Sequence, residues 1–201
     1  MEERPQLYFP RDVEWYDWLL ENHSKYPKGV DLIFYKVDST MASMRWEEAV
    51  KVALCFGWID STVKSLGNGK RRQYFCPRNP KSTWSKLNKS YVVQLEKQGL
   101  IQEQGWKLIN LAKDTGTWTA MDDVENGVIP EDLMVAFAKA KTAYTNYQNF
   151  TPGYRKSYLS WLHSAKRQMT RDKRIAEIIK LCDANIKSRD HGWGSINQSD
   201  K

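Results

Sequence analysis

The stretch from residue 61 to residue 95 concentrates groups that can bind an anion. It contains no aspartate or glutamate, yet it holds these basic residues: Lys64, Lys70, Arg71, Arg72, Arg78, Lys81, Lys86 and Lys89. Aromatic side chains, among them Tyr74, Phe75 and Trp84, lie between the cations. Guanidinium groups bind carboxylates and phosphates through paired N–H donors, and aromatic rings stack on planar groups. The combination predicts a binding site for an anionic or planar ligand.

A single recessed patch is the arrangement that we expect for this site. Its predicted ligand-binding residues are Trp58, Asp60, Arg71, Arg72, Phe75, Arg78, Trp84 and Asn88. Arginines would supply bidentate contacts, tryptophans a stacking surface and the asparagine a hydrogen bond. Side chains alternate along a strand, so one face of residues 71–76 can join the core while the other offers a cation beside a ring. The alternative is a solvated basic face that keeps the protein soluble.

Nucleic-acid binding is a second hypothesis for the same residues. The basic segment 164–175 would add phosphate contacts, and such binding would depend strongly on salt. This segment can equally form salt bridges with the acidic stretch 117–129, and we favour that interpretation slightly.

An enzyme is the third hypothesis, with Cys55 as nucleophile or Asp60 as base. A cysteine nucleophile needs a nearby base, but the sequence places none of the chain's three histidines beside Cys55. Asp60 is more easily explained as the ion-pair partner of a nearby arginine. The sequence contains no metal-ligand spacing and no nucleotide-binding glycine motif. We therefore expect the protein to bind neither a metal nor a cofactor. We therefore favour a non-enzymatic role.

Periodicity and turn residues predict an α+β fold, with a small, mostly antiparallel sheet packed against helices and then a C-terminal helical subdomain. The predicted strands are 30–36, 58–66 and 70–76, and Gly67-Asn68-Gly69 joins the last two as a hairpin. The predicted helices begin at Asp12, Ser43, Ser82 or Thr83, Glu103, Pro130, Thr151 and Thr170. We expect an α+β domain over 1–116, an acidic linker over 117–129, helices over 130–187 and a flexible tail over 188–201.

The composition bears on the compartment and on possible partners. A net charge of +7 and a pI of about 9.2 favour anionic partners, either small molecules or nucleic acid. Three cysteines, an odd count, are typical of a reducing compartment. The first residues lack the apolar segment of a signal peptide, and no run is long enough to span a bilayer. The sequence thus predicts a cytoplasmic protein without membrane insertion, and leaves its oligomeric state open.

Several motifs together resemble the YdeI/OmpD-associated, or bacteriocin-protection, family. They are Arg45-Trp46-Glu47-Glu48-Ala49, Cys55-Phe56-Gly57-Trp58-Ile59-Asp60, Phe75-Cys76-Pro77-Arg78, Ser82-Thr83-Trp84-Ser85 with Asn88, and Ser164-Ala165-Lys166 with Thr170-Arg171 and Arg174-Ile175. The resemblance extends from about Trp15 to Lys187. It implies a bacterial source, a role in resistance to bacteriocins or cationic peptides, and, by the family name only, association with a porin. A chain of net charge +7 would repel cationic peptides, so we expect any protective role to be indirect.

Overall fold

A computed structural model describes residues 4–189 of the chain. The chain forms two compact units, Met1–Ala120 and Met121–Lys201, which we call the N-terminal and the C-terminal unit. Among the described residues no helix is both long and apolar enough to cross a membrane.

The N-terminal unit combines one sheet with helices. Its elements are β1 (Gln6–Leu7), α1 (Asp12–Asn22), β2 (Val30–Tyr35), α2 (Trp46–Cys55), β3 (Trp58–Gly67), β4 (Lys70–Pro77), α3 (Lys86–Lys97) and α4 (Glu103–Asp114). The sheet has the order β1-β2-β4-β3. Only β1 pairs in parallel, while β2 and β3 both pair antiparallel with β4. The predicted α+β class is confirmed, although the two-residue strand β1 was not predicted.

The hairpin between β3 and β4 forms where the sequence predicts it. Gly67 pairs with Lys70, so Asn68 and Gly69 form a two-residue turn. Their φ angles are 47° and 73°, as in a type I′ turn, which asparagine and glycine tolerate best. The turn therefore fixes the register of the long strand β3 against β4.

The two faces of this sheet have different roles. The core face carries Val30, Leu32 and Phe34 of β2 and Phe75 of β4, all buried against the helices. Burying each of these side chains contributes on the order of 2 kcal/mol. The opposite face, which we call the outer face, carries Asp31, Ile33 and Tyr35 of β2, Lys70, Arg72, Tyr74 and Cys76 of β4, and Lys64 of β3. None of these outer-face residues belongs to a hydrophobic core of the described residues.

Two predicted helix starts in the N-terminal unit were wrong. The second helix begins at Trp46 rather than near Ser43, whose hydroxyl instead accepts a hydrogen bond from the Tyr35 amide at 3.2 Å. The third begins at Lys86, with Ser85 as its N-cap, because the Ser85 hydroxyl accepts from the Asn88 amide at 3.2 Å. This helix buries Tyr91, Val92 and Leu95, whereas Leu87 in its first turn is 45% exposed.

The C-terminal unit is helical in its described residues, as predicted. Its helices are α5 (Asp122–Glu125), α6 (Glu131–Ala138), α7 (Lys141–Asn149), α8 (Pro152–His163) and α9 (Gln168–Asp183). Its core contains Leu133, Phe137, Tyr147, Leu162 and Ile178.

The acidic stretch 117–129, expected to be a linker, contains α5, and its Val124 is buried in the C-terminal core. The last helix begins at Gln168, two residues before the predicted Thr170. Ile186 follows the end of that helix and is 42% exposed. Most of the predicted tail, residues 190–201, lies outside the described residues.

Candidate anion-binding groove

The predicted ligand-binding residues do not line one recess. Trp58 is 1% exposed and Phe75 is fully buried, and both pack in the N-terminal core. The Trp58 indole donates a hydrogen bond to the His23 carbonyl at 3.2 Å. Rings enclosed in this way have no free face for a ligand, so these two residues stabilise the fold and do not stack on a bound molecule.

Arg78 and Trp84 do come together, but inside the protein. The Arg78 guanidinium lies 3.9 Å from the centre of the Trp84 ring, and only 5% of the residue is exposed. Its Nη2 donates to the Thr83 carbonyl at 2.5 Å, while Nε is buried without a partner among the described residues. Burial lowers the pKa of Arg78 to about 10, an effect that the nearby Asp60 charge partly offsets. This arginine stabilises the segment after β4 through its contacts with Thr83 and Trp84, and a ligand cannot reach it from solvent.

Asp60 also has structural partners. Its Oδ2 accepts hydrogen bonds from the Trp46 indole at 2.8 Å and from the Gln73 amide at 3.0 Å. These bonds link the start of α2 to β3 and β4. Because two donors from the protein already occupy this oxygen, the arrangement favours a structural role for Asp60 over that of a general base.

Cys55 lacks the surroundings of a nucleophile. The thiol is buried, and its Sγ donates to the Lys51 carbonyl at 3.4 Å. Burial raises the pKa of Cys55 to about 12, so the reactive thiolate is not populated near neutral pH.

Arg71 and Arg72 point to opposite faces of the sheet, as their neighbouring positions on a strand require. Arg71 is exposed, and its guanidinium lies 5.3 Å from the centre of the Phe34 ring. Arg72 lies on the outer face, 3.6 Å from the Asp31 carboxylate. Asn88 is half-buried in the first turn of α3. One site therefore cannot use both arginines, and the predicted patch separates into different environments.

A groove of about 700 Å³ lies at the hairpin end of the sheet, and we call it the hairpin-end groove. Its lining residues are Tyr35, Lys36, Val37, Arg45, Val63, Ser65, Gly67, Asn68, Gly69, Lys70 and Arg71. This volume is within the range that accommodates a small organic ligand. Of the predicted site residues, only Arg71 lines it.

The architecture explains why the groove forms here. Val63 and Ser65 pair with Gln73 and Arg71, so all four side chains share the core face. Near Trp58 this face is buried, but β3 is exposed from residue 61 to its end at residue 67. The helices therefore leave the distal end of this face open.

Four cations surround the opening. Lys36, Arg45, Lys70 and Arg71 are all exposed, and no acidic residue in the described part of the chain lines the groove. Within residues 4–189 none of the four forms a salt bridge with a carboxylate. The carboxylate of Glu48 is nearby, but it accepts a hydrogen bond from the Arg45 backbone amide at 2.6 Å and caps α2. The charges of the groove are thus available to an anion.

An aromatic ring accompanies these charges. The Lys70 ammonium lies 5.3 Å from the centre of the Tyr35 ring, and the two residues pair across β2 and β4. The Lys36 amide donates to the Gly69 carbonyl at 2.9 Å, which holds the segment after β2 against the hairpin turn. Cations and ring are therefore attached to hydrogen-bonded backbone.

Sequence reasoning missed most of the groove because two of its cations lie outside the acid-free stretch 61–95. Lys36 follows β2, and Arg45 precedes α2. Pairing the predicted strand 30–36 with the strand 70–76 would have placed Lys36 beside the hairpin turn. No sequence signal marks Arg45, which lies in the groove because of how α2 packs.

The basic segment 164–175 binds groups of its own unit. Arg171 contacts both oxygens of Asp132, at 2.5 and 2.9 Å. Arg174 donates to the Trp161 carbonyl and, at 2.7 Å, to the Ser164 hydroxyl. A salt bridge therefore forms, but its carboxylate belongs to α6 and not to the stretch 117–129.

The matches to known families fall in two parts of the chain, one within each compact unit. Residues 7–108 match the family model described as Domain of unknown function (DUF8412), just over half of the chain. The chain belongs to the DUF8412 family. Every lining residue of the hairpin-end groove falls within the DUF8412 match.

A second family model, described as Bacteriocin-protection, YdeI or OmpD-Associated, matches residues 126–185. It confirms the family resemblance found in the sequence, over a narrower range than the expected Trp15–Lys187. No curated protein matches this DUF8412 chain. No solved structure matches it either.

Proposed function

We propose that the protein is a non-enzymatic binding module that takes an anionic ligand in the hairpin-end groove. The observation that carries the proposal is the set of four exposed cations around a groove without a lining carboxylate. Unpaired cations attract an anion without first having to break an ion pair within the protein. Two unit charges about 4 Å apart near a protein surface attract by roughly 4 kcal/mol before desolvation is subtracted.

A compact ligand with a planar group fits the groove better than a bare ion. The volume of about 700 Å³ far exceeds that of a single phosphate, and Tyr35 offers a ring beside Lys70. Arg71 can grip two oxygens of a phosphate or carboxylate, whereas the lysines act as point charges. We therefore expect a phosphate- or carboxylate-bearing small molecule.

Non-enzymatic binding agrees with the state of the candidate catalytic groups. Burial raises the pKa of Cys55, and the Oδ2 of Asp60 accepts from two side chains of the fold. Neither residue lines the groove. We propose that the ligand is bound and released unchanged.

The cellular setting is part of the same proposal. The three cysteines are free, which is consistent with a cytoplasmic location. The family name of residues 126–185 suggests protection from bacteriocins. A chain of net charge +7 would repel cationic peptides, so we propose that protection is indirect and follows from ligand binding inside the cell.

Calorimetric titration with inorganic pyrophosphate and with adenosine monophosphate tests the proposal. We expect binding by the wild-type chain and a loss of about tenfold in affinity for Arg71→Ala, since one hydrogen bond to a charged group contributes roughly 1.5–3 kcal/mol. The Arg71→Lys variant should recover only part of the affinity, because it keeps the charge but not the paired donors.

The matched control is Lys97→Ala, which removes one exposed charge in the last turn of α3, outside the groove. It should bind both ligands as the wild type does. Equal weakening by Lys97→Ala and Arg71→Ala would show that net charge alone attracts the ligands. If the wild type binds neither pyrophosphate nor adenosine monophosphate, the proposal is rejected.

A further inference from the structure

The outer face of the sheet carries aromatic rings that no hydrophobic core uses. Tyr35 and Tyr74 are half-buried on adjacent strands. Tyr8, from the segment after β1, packs edge-on against Tyr35 with ring centres 5.3 Å apart. Tyrosines that contribute to no core commonly serve a binding surface, because a tyrosine pairs an apolar ring with a polar tip.

Cations lie between these rings. Along β4 the outer-face positions are Lys70, Arg72 and Tyr74, and Lys64 of β3 pairs with Arg72. Same-face residues on a strand are roughly 7 Å apart, so Arg72 lies about one such interval from Lys70 on one side and from Tyr74 on the other. The guanidinium of Arg4 adds a further charge, 4.2 Å from the centre of the Tyr74 ring.

The one carboxylate among the outer-face strand residues is already neutralised. Asp31 is 3% exposed and lies 3.5 Å from Arg4 and 3.6 Å from Arg72. Because two arginines flank this single buried charge, the face keeps a positive surplus. A polyanion would therefore be attracted to it, while Asp31 holds the arginines in place.

Rings and cations that share one face of a sheet match the chemistry of single-stranded nucleic acid. Bases stack on aromatic side chains whatever their sequence, and phosphates pair with lysine and arginine. A duplex hides its bases from such stacking, and an acidic peptide has no regular series of planar groups. We propose that the outer face binds single-stranded nucleic acid, chiefly through Lys64, Arg72 and Tyr74, which do not line the hairpin-end groove. Tyr35 and Lys70 border both surfaces.

Fluorescence anisotropy of a labelled oligothymidylate, titrated with the full chain at several salt concentrations, tests this proposal. The affinity of the wild type should fall linearly on a log–log scale as salt rises, because phosphate contacts release counterions. The Lys64→Ala variant should reduce that slope by about 0.7, the value expected for one phosphate contact on a single strand.

Tyr74 distinguishes stacking from simple charge attraction, and it does not line the groove. The Tyr74→Leu variant should weaken oligonucleotide binding roughly tenfold, within the range known for loss of one stacked base. The Tyr74→Phe variant keeps the ring and should retain most of the affinity. Lys97→Ala serves again as the charge-matched control and should bind as the wild type does.

Three results would overturn the proposal. The first is no binding of oligothymidylate even at the lowest salt. The second is equal affinity of the Tyr74→Leu variant and the wild type, which would leave attraction by charge alone. The third is equal weakening by Lys64→Ala and Lys97→Ala. Pyrophosphate binding in the groove is measured separately and depends on Arg71, so either proposal can fail without the other.

Discussion

The basic side chains of the hairpin-end groove and those of the C-terminal unit carry the same charge but have different partners. Around the groove, Lys36 and Arg71 are exposed and form no salt bridge within the described residues. In the C-terminal unit, Arg171 is paired with Asp132 and Lys156 with Glu125. A basic stretch in a sequence therefore does not by itself indicate a binding surface. We propose that cations without an internal partner bind ligand, whereas cations paired within the chain stabilise the fold.

Arg78 is the extreme case of a cation held by the fold, and its removal should have the largest effect on stability. We expect Arg78→Ala to lower the free energy of unfolding by about 2–3 kcal/mol, because it leaves a cavity beside Trp84 and a Thr83 carbonyl without its donor. Chemical denaturation followed by tryptophan fluorescence measures the change.

A methionine at the same position separates packing from charge. Arg78→Met keeps much of the volume and removes a charge whose burial is costly, so it should destabilise less than Arg78→Ala. Equal destabilisation by both variants would contradict this account, because it would mean that the charge, and not the packing against Trp84, supports the segment.

Arg171 should have the next largest effect, on stability and not on binding. The Arg171→Ala variant loses a bidentate contact between partly exposed groups, and we expect a cost of about 1 kcal/mol. Its affinity for pyrophosphate should match that of the wild type. If Arg171→Ala lost affinity for pyrophosphate but kept its stability, the groove cations and the paired cations of the C-terminal unit would not differ in role as proposed.

Acid should produce the smallest effect, through Asp132. The hydrogen bonds from Arg171, opposed by a smaller effect of burial, hold the pKa of Asp132 below its ordinary value of 3.8. The unfolded chain therefore takes up the proton first as pH falls. The ionised Asp132 carboxylate therefore contributes its full stabilisation to the folded chain above about pH 4. This stabilisation is lost as pH drops through the lower pKa of Asp132 in the folded chain. Thermal melts from pH 6 downward should show a shallower acid decline for Asp132→Asn than for the wild type, with equal declines as the contradicting result.

Much of the fold could be predicted from the sequence because its signals are local. The Gly67-Asn68-Gly69 turn determines a hairpin by its backbone preferences, and apolar periodicity marks helices such as Glu103–Asp114. Helix starts were less predictable, because several residues near Ser43 and Ser82 can act as caps and tertiary contacts decide among them.

The site was harder to predict than the fold, because it depends on which face each side chain occupies and on what pairs with it. Alternation correctly separates Arg71 from Arg72, yet both were assigned to one pocket. The burial of Trp58 and Arg78 follows from packing between distant segments, which has no local signature. Arg45 reaches the groove only through the docking of α2.

Nuclear magnetic resonance titration of the ¹⁵N-labelled chain with inorganic pyrophosphate tests the central claim most directly. The account predicts that the largest amide shifts fall on Lys36, Gly69, Lys70 and Arg71, with little change at Lys156 and Arg171 of the C-terminal unit. Shifts concentrated in the C-terminal unit, or spread evenly over exposed lysines in both units, would contradict it.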